Sequence, residues 1–152
     1  MTVYRIARKA YINNLSGAGA RLNGGRWNKK GTSVLYTSAN RSLATIEYLA
    51  HLPMAVVPKD IRIAGIIVPD DAPMATIDIK SLPDNWRVYP APLQLAEIGD
   101  NWINENKTLL LKVPSALVKG EWNILINPYH QTFEKIGLCE IDEYNFDSRL
   151  LR

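Results

Sequence analysis

The chain has 152 residues, 47% of them apolar and 22% charged, with one cysteine and two histidines; this excludes a disordered or fibrous chain, an internal disulfide and a structural zinc set. No apolar run approaches the ~20 residues of a membrane helix, and the first residues lack the apolar stretch of a secretory signal, so the expectation is a soluble cytoplasmic protein forming one domain over residues 1–152. The net charge is +3, yet eight of the 18 bases lie in the first 52 residues, where Glu47 is the only acid. That asymmetry points to a ligand with phosphates, a nucleic acid or a nucleotide; a solvated basic face without any ligand is the plain alternative.

In chain order, Val3 to Ile6 reads as a strand, followed by a long glycine-bearing segment from Ser16 to Gly31. Ser33 to Thr37 alternates and is rich in strand formers. Ser42 to Ala50 has helical spacing and is stopped by Pro53. Arg62 to Val68 is a strand closed by Pro69, and Leu93 to Glu105 a helix. Leu109 to Val113, Trp122 to Ile126 and parts of Phe133 to Phe146 are further strands. Short strands with few helices indicate an α+β fold with a compact mixed or antiparallel sheet rather than repeated βαβ units.

Several familiar motifs fail. Gly17-Ala18-Gly19-Ala20-Arg21-Leu22 starts like a dinucleotide fingerprint but has Leu22 at the third glycine position. Gly24-Gly25 is not followed by the lysine and hydroxyl of a phosphate loop, and no serine sits in a nucleophile elbow. Cys139, in a strand-like run without a neighbouring base, reads as a core residue, and His51 as a partner for the C-terminal dipole of its helix.

Three pieces survive. Asn23 to Asn28 is a turn in which two glycines let the backbone approach a ligand while Arg26 and Trp27 project. Tyr36 shares a strand face with Val34 and Ser38, opposite Leu35 and Thr37. Glu47 matters most. With Leu43 at zero on a helical wheel, Glu47 falls at about 40°, inside the apolar arc traced by Ile46, Leu49 and Ala50. A carboxylate there is costly unless something compensates; a structural Glu47–Arg26 pair is the bland alternative.

Together these residues resemble a family. Gly19 to Asn28, then Gly31, Val34 to Ser38 and Leu43 to Glu47, with Leu111 to Ala116 and Glu121 to His130 further on, are similar to RES-domain toxins, whose naming arginine, glutamate and serine fall on Arg26, Glu47 and Ser115. The resemblance implies a fold similar to the diphtheria-toxin-like ADP-ribosyltransferases and NAD⁺ as substrate, with no metal. It also implies cleavage of the nicotinamide–ribose bond, and an Xre-like helix-turn-helix antitoxin that blocks the site. The acceptor (water, phosphate or a protein side chain) stays open.

On this reading Glu47 stabilises an oxocarbenium-like ribose. Arg26, with Arg5 as second choice, binds the pyrophosphate. Tyr36, with Trp27 as a possible second wall, faces the cationic nicotinamide ring. Ser115 and Asn127 hydrogen-bond ribose or amide, or serve as turn residues. The competing classes are a basic nucleic-acid-binding module using Trp27 with Lys29 and Lys30, which leaves Glu47 unexplained, and an inert partner of an acidic antitoxin tail. The enzyme reading is expected to need neither membrane nor nucleic acid.

Overall fold

A computed structural model describes residues 1–151 apart from Met54, Ala55 and Val57. The elements in chain order are β1 (Thr2–Arg8), α1 (Ala18–Asn23), β2 (Leu35–Ser38), α2 (Arg41–Ala50), β3 (Ile61–Ile67), β4 (Met74–Thr76), α3 (Leu93–Glu105), β5 (Leu110–Pro114), β6 (Trp122–Ile126) and β7 (Gly137–Glu143). All seven strands form one sheet in the order β4-β5-β6-β2-β1-β3-β7. Each pairing is antiparallel except β4 with β5. The α+β expectation with a mixed, mostly antiparallel sheet holds. No helix among the described residues is long and apolar enough to cross a membrane.

The α3 and β6 boundaries coincide with the sequence reading, and the other expected elements shift by a residue or two at their ends. Two elements were not expected. α1 is a single helical turn and a half between Gly17 and Gly24, both of which take positive φ; β4 is a three-residue edge strand held by parallel pairing to Leu110–Lys112. Two further expectations are corrected. Cys139 is exposed rather than in the core, because β7 is an edge strand with nearly all its residues open to solvent. Ile46, placed in the apolar arc by the wheel, is 39% exposed; the buried stripe of α2 is Leu43, Ala44 and Thr45.

The sheet separates two apolar layers. On one face Val3, Leu35, Ile66, Ile124 and Ile126 pack together. On the other, Trp27, Val34, Trp86, Leu95, Trp102, Leu111, Val113 and Leu125 form the larger cluster, with Tyr36 against it. Strand alternation puts Tyr4, Tyr36, Ser38 and Asn123 on this second face, since Tyr4 opposes Ser38, Tyr36 opposes Leu125 and Ser38 opposes Asn123. α2 packs on β1 and β2. It starts at Asn40, whose side chain caps the Leu43 N–H at 2.8 Å, and ends at His51, which lies at the C-cap where the sequence reading placed it.

Candidate active site

The turn from Gly24 to Asn28 is closed by reciprocal backbone bonds, Gly25 N–H to Asn28 O at 3.0 Å and Asn28 N–H to Gly25 O at 3.4 Å. A Cβ on Gly25 would stand 2.8 Å from the Tyr36 hydroxyl, so a glycine is what allows the turn to close on the ring of β2. That hydroxyl donates to Asn28 Oδ1 at 2.7 Å and accepts from the Trp27 N–H at 3.0 Å. Burial raises the Tyr36 pKa far above its usual value, so the phenol is neutral and its ring is fixed in place by two hydrogen bonds.

The two side chains expected to project from this turn part company. Trp27 is 3% exposed and packs into the larger cluster, which removes it as a second aromatic wall: a residue at the turn's base finds more apolar contact inward than outward. Its carbonyl lies so close to α3 that a Cβ on Gly99 would be 1.6 Å from it. Arg26 points the other way. Its Nη1 donates to Trp86 O at 2.7 Å and Val88 O at 3.2 Å, which leaves Nε and Nη2 without protein acceptors among the described residues. Burial lowers the Arg26 pKa, and the charge of Glu47 opposes that fall. The guanidinium and the carboxylate therefore share one electrostatic field, although no ion pair joins them among the described residues.

Glu47 is half-buried in a polar seat rather than the apolar wall that the wheel suggested. Ser115 Oγ and Asn123 Nδ2 both donate to its Oε1, at 2.8 and 2.7 Å. The Ser115 hydroxyl in turn accepts from the Leu117 and Val118 N–H groups, each at 3.1 Å, and Asn123 Oδ1 accepts from Ser38 Oγ at 2.8 Å. Such a network compensates the carboxylate for lost water. Oε2 has no protein donor among the described residues, and no orphaned side-chain oxygen is buried among them, so Oε2 faces open space.

Ser115 thus holds the carboxylate and the turn after β5, and its one proton is engaged. Asn123 lies in the Glu121–His130 stretch but is not among the expected site residues; its signal, a polar residue on a strand between Trp122 and Ile124, fits any half-exposed strand equally well. The structure does not bring the remaining two candidates to this place. Arg5 lies on the same face of β1 as Val3, the opposite side of the sheet, where its Nη1 donates to Tyr11 O and Ile12 O at 3.0 and 2.9 Å. Asn127 is fully buried beyond the far end of β6. It donates to Asn106 Oδ1 at 2.8 Å and accepts from the Tyr129 N–H at 2.9 Å, the work of a turn residue.

Two hollows are lined by residues already named, one by Arg26 and the other by Ser115. One, of about 340 Å³, is lined by the Asn23–Arg26 turn, Asn28, Lys29, Lys30 and the start of α3. The other, of about 460 Å³, is lined by Trp86, Arg87, Ser115, Lys119, Glu121 and Trp122 among others. No His, Cys, Asp and Glu group able to hold a metal ion occurs among the described residues.

The family model described as "RES domain" matches residues 2–147. A "Prs ADP-ribosylating toxin" of Sphingobium sp. is 35% identical over 149 residues, covering 96% of this chain and 92% of that protein. A "Toxin Res" of Yersinia enterocolitica is 34% identical over 152 residues, with 99% of both chains covered. Among solved structures, the M. tuberculosis MbcT–MbcA toxin–antitoxin complex contains a chain with the same fold at a TM-score of 0.68 and 20% identity, covering 95% of this chain and 84% of that one.

Proposed function

Since the chain belongs to the RES domain family, with relatives named as toxins over nearly its whole length, we propose that it is the toxin of a toxin–antitoxin pair that cleaves the nicotinamide–ribose bond of NAD⁺, residues 1–152 acting as one cytoplasmic domain. The observation that carries this reading is the Glu47 carboxylate, held at Oε1 by Ser115 and Asn123 with Oε2 turned to open space.

Cleavage expels neutral nicotinamide and leaves an oxocarbenium-like ribose, so a fixed negative charge at the anomeric carbon lowers the barrier. Glu47 Oε2 accepts a ribose hydroxyl and faces the developing charge. Because the seat is built before substrate arrives, little reorganisation is needed at the moment of reaction. The free Nε and Nη2 of Arg26 bind a pyrophosphate oxygen pair, and the fixed ring of Tyr36 meets the cationic nicotinamide face. Ser115 and Asn123 are positioning residues that act through Glu47.

Transfer of the ADP-ribose to a protein is the second reading, favoured by the name of the Sphingobium relative. An antitoxin partner is favoured by the MbcT–MbcA complex. An Xre-like helix-turn-helix protein that covers the cleft with an acidic segment would complement the basic rim of Arg26, Lys29 and Lys30.

The test is nicotinamide release from NAD⁺ by the purified chain. Glu47→Gln keeps the shape and the Oε1 seat but removes the charge, and is expected to slow release about 10²–10³-fold with an unchanged unfolding curve. A wild-type rate in that variant removes Glu47 from the chemistry.

A further inference from the structure

Glu47 has a second carboxylate for a neighbour. The β5–β6 ladder runs one pair past Pro114 and Trp122, because the Ser115 N–H donates to Glu121 O at 2.9 Å. Glu121 therefore stands directly opposite Ser115. By strand alternation it shares its face with Asn123, about 7 Å along the strand. Ser115 and Asn123 are the two residues that grip Glu47 Oε1, so Glu121 stands on the strand face that seats Glu47, opposite one of its holders and two residues from the other. Glu121 is itself oriented: its Oε2 accepts from Asn40 Nδ2 at 3.2 Å, and Asn40 caps the helix that carries Glu47. Beyond it opens the 460 Å³ hollow, lined by Glu121, Ser115, Trp86 and Trp122 with Arg87 and Lys119. Arg26, by contrast, lines the hollow on the turn side.

We propose that Glu121 is the general base of the acceptor step and that this hollow receives an acceptor with an O–H group, water or a protein hydroxyl. This rests on the NAD⁺-cleaving reading of Glu47. The anomeric C–N bond breaks with its electron pair going to the nicotinamide nitrogen, which leaves as neutral nicotinamide. The acceptor oxygen forms the new bond to the anomeric carbon, and its proton passes to the Glu121 carboxylate and then to solvent. One carboxylate to face the developing charge and a second to take the proton of the attacking group is a division of labour suited to displacement at an anomeric carbon. An O–H acceptor needs a base, whereas inorganic phosphate is already an anion and needs none.

The experiment uses the full chain with NAD⁺, first alone and then with bacterial extract. Glu121→Gln is expected to lower kcat at least ~100-fold with KM for NAD⁺ within about twofold. In Glu121→Ala, sodium azide, a nucleophile that needs no base, is expected to restore nicotinamide release and yield the ADP-ribosyl azide. Free ADP-ribose from the wild type identifies water as acceptor, and label transferred from NAD⁺ to a protein identifies a hydroxyl; either supports the proposal. It is overturned by a Glu121→Gln rate near wild type, by a slow Glu121→Ala that azide does not rescue, or by a 1″-phosphate product made with inorganic phosphate. Absence of nicotinamide release from the wild type under every condition instead overturns the reading of Glu47, and this inference with it.

Discussion

Two arginines of the basic N-terminal third lie on opposite sides of the sheet, and both give Nη1 to a pair of backbone carbonyls: Arg5 to Tyr11 and Ile12, Arg26 to Trp86 and Val88. Burial lowers the pKa of both. They differ in what lies beyond the carbonyls. Arg5 belongs to the face where Val3, Leu35 and Ile124 pack, and its bonds tie β1 to the segment that follows it. Arg26 feels the charge of Glu47 and keeps two nitrogens free toward a hollow. A guanidinium anchored at one nitrogen is a structural tie or a ligand-binding group according to its neighbours, not its own bonds.

Three experiments press on this contrast. The largest effect is expected from Ser115→Ala, which releases Glu47 Oε1 and two backbone N–H groups at once; a carboxylate misplaced by about 1 Å lowers kcat ~10²-fold, read as nicotinamide release with KM little changed. Next, Arg26→Ala is expected to raise KM for NAD⁺ roughly 10- to 100-fold, the scale of a lost hydrogen-bonded charge contact. Arg5→Ala should leave KM within twofold and instead lower unfolding stability by about 1–3 kcal/mol in urea. Exchange of these two phenotypes would reverse the assignment of the faces.

The smallest effect concerns pH. Because burial raises the Tyr36 pKa, the unfolded chain loses this phenolic proton near pH 10 while the folded one retains it. The contribution of the neutral phenol to stability is complete below about pH 10 and falls as pH climbs beyond it. The wild type is therefore expected to lose stability above pH 10 faster than Tyr36→Phe, measured as the difference between their urea midpoints across pH 9–11. Parallel midpoints would mean that the ring is not locked.

What could be read beforehand followed the local periodicities. Leu93–Glu105 and Trp122–Ile126 carry patterns long enough to bound a helix and a strand, and both bounds agree with the structure. Alternation gives the face of Tyr36, and along Val3 and Arg5 the same rule separates Arg5 from the site. The unread features depend on tertiary partners. Trp27 sits in a turn, where no period says which way a side chain points. Asn123 reaches Glu47 across 76 residues of sequence. β4 is three residues whose pairing exists only because β5 lies beside them. Resemblance supplied Ser115, and its hydrogen bond to Glu47 depends on a helix 68 residues away in sequence.

The contact between Gly99 and the Trp27 carbonyl carries a wider lesson about how the cleft keeps its shape. With a Cβ only 1.6 Å from that oxygen, even alanine would wedge the helix away from the loop, tilting Arg26 off its two carbonyl supports. The mouth of the hollow beside Arg26 is therefore gauged from behind, by a hydrogen atom in the middle of α3, and a methyl group there would act as a change of aperture.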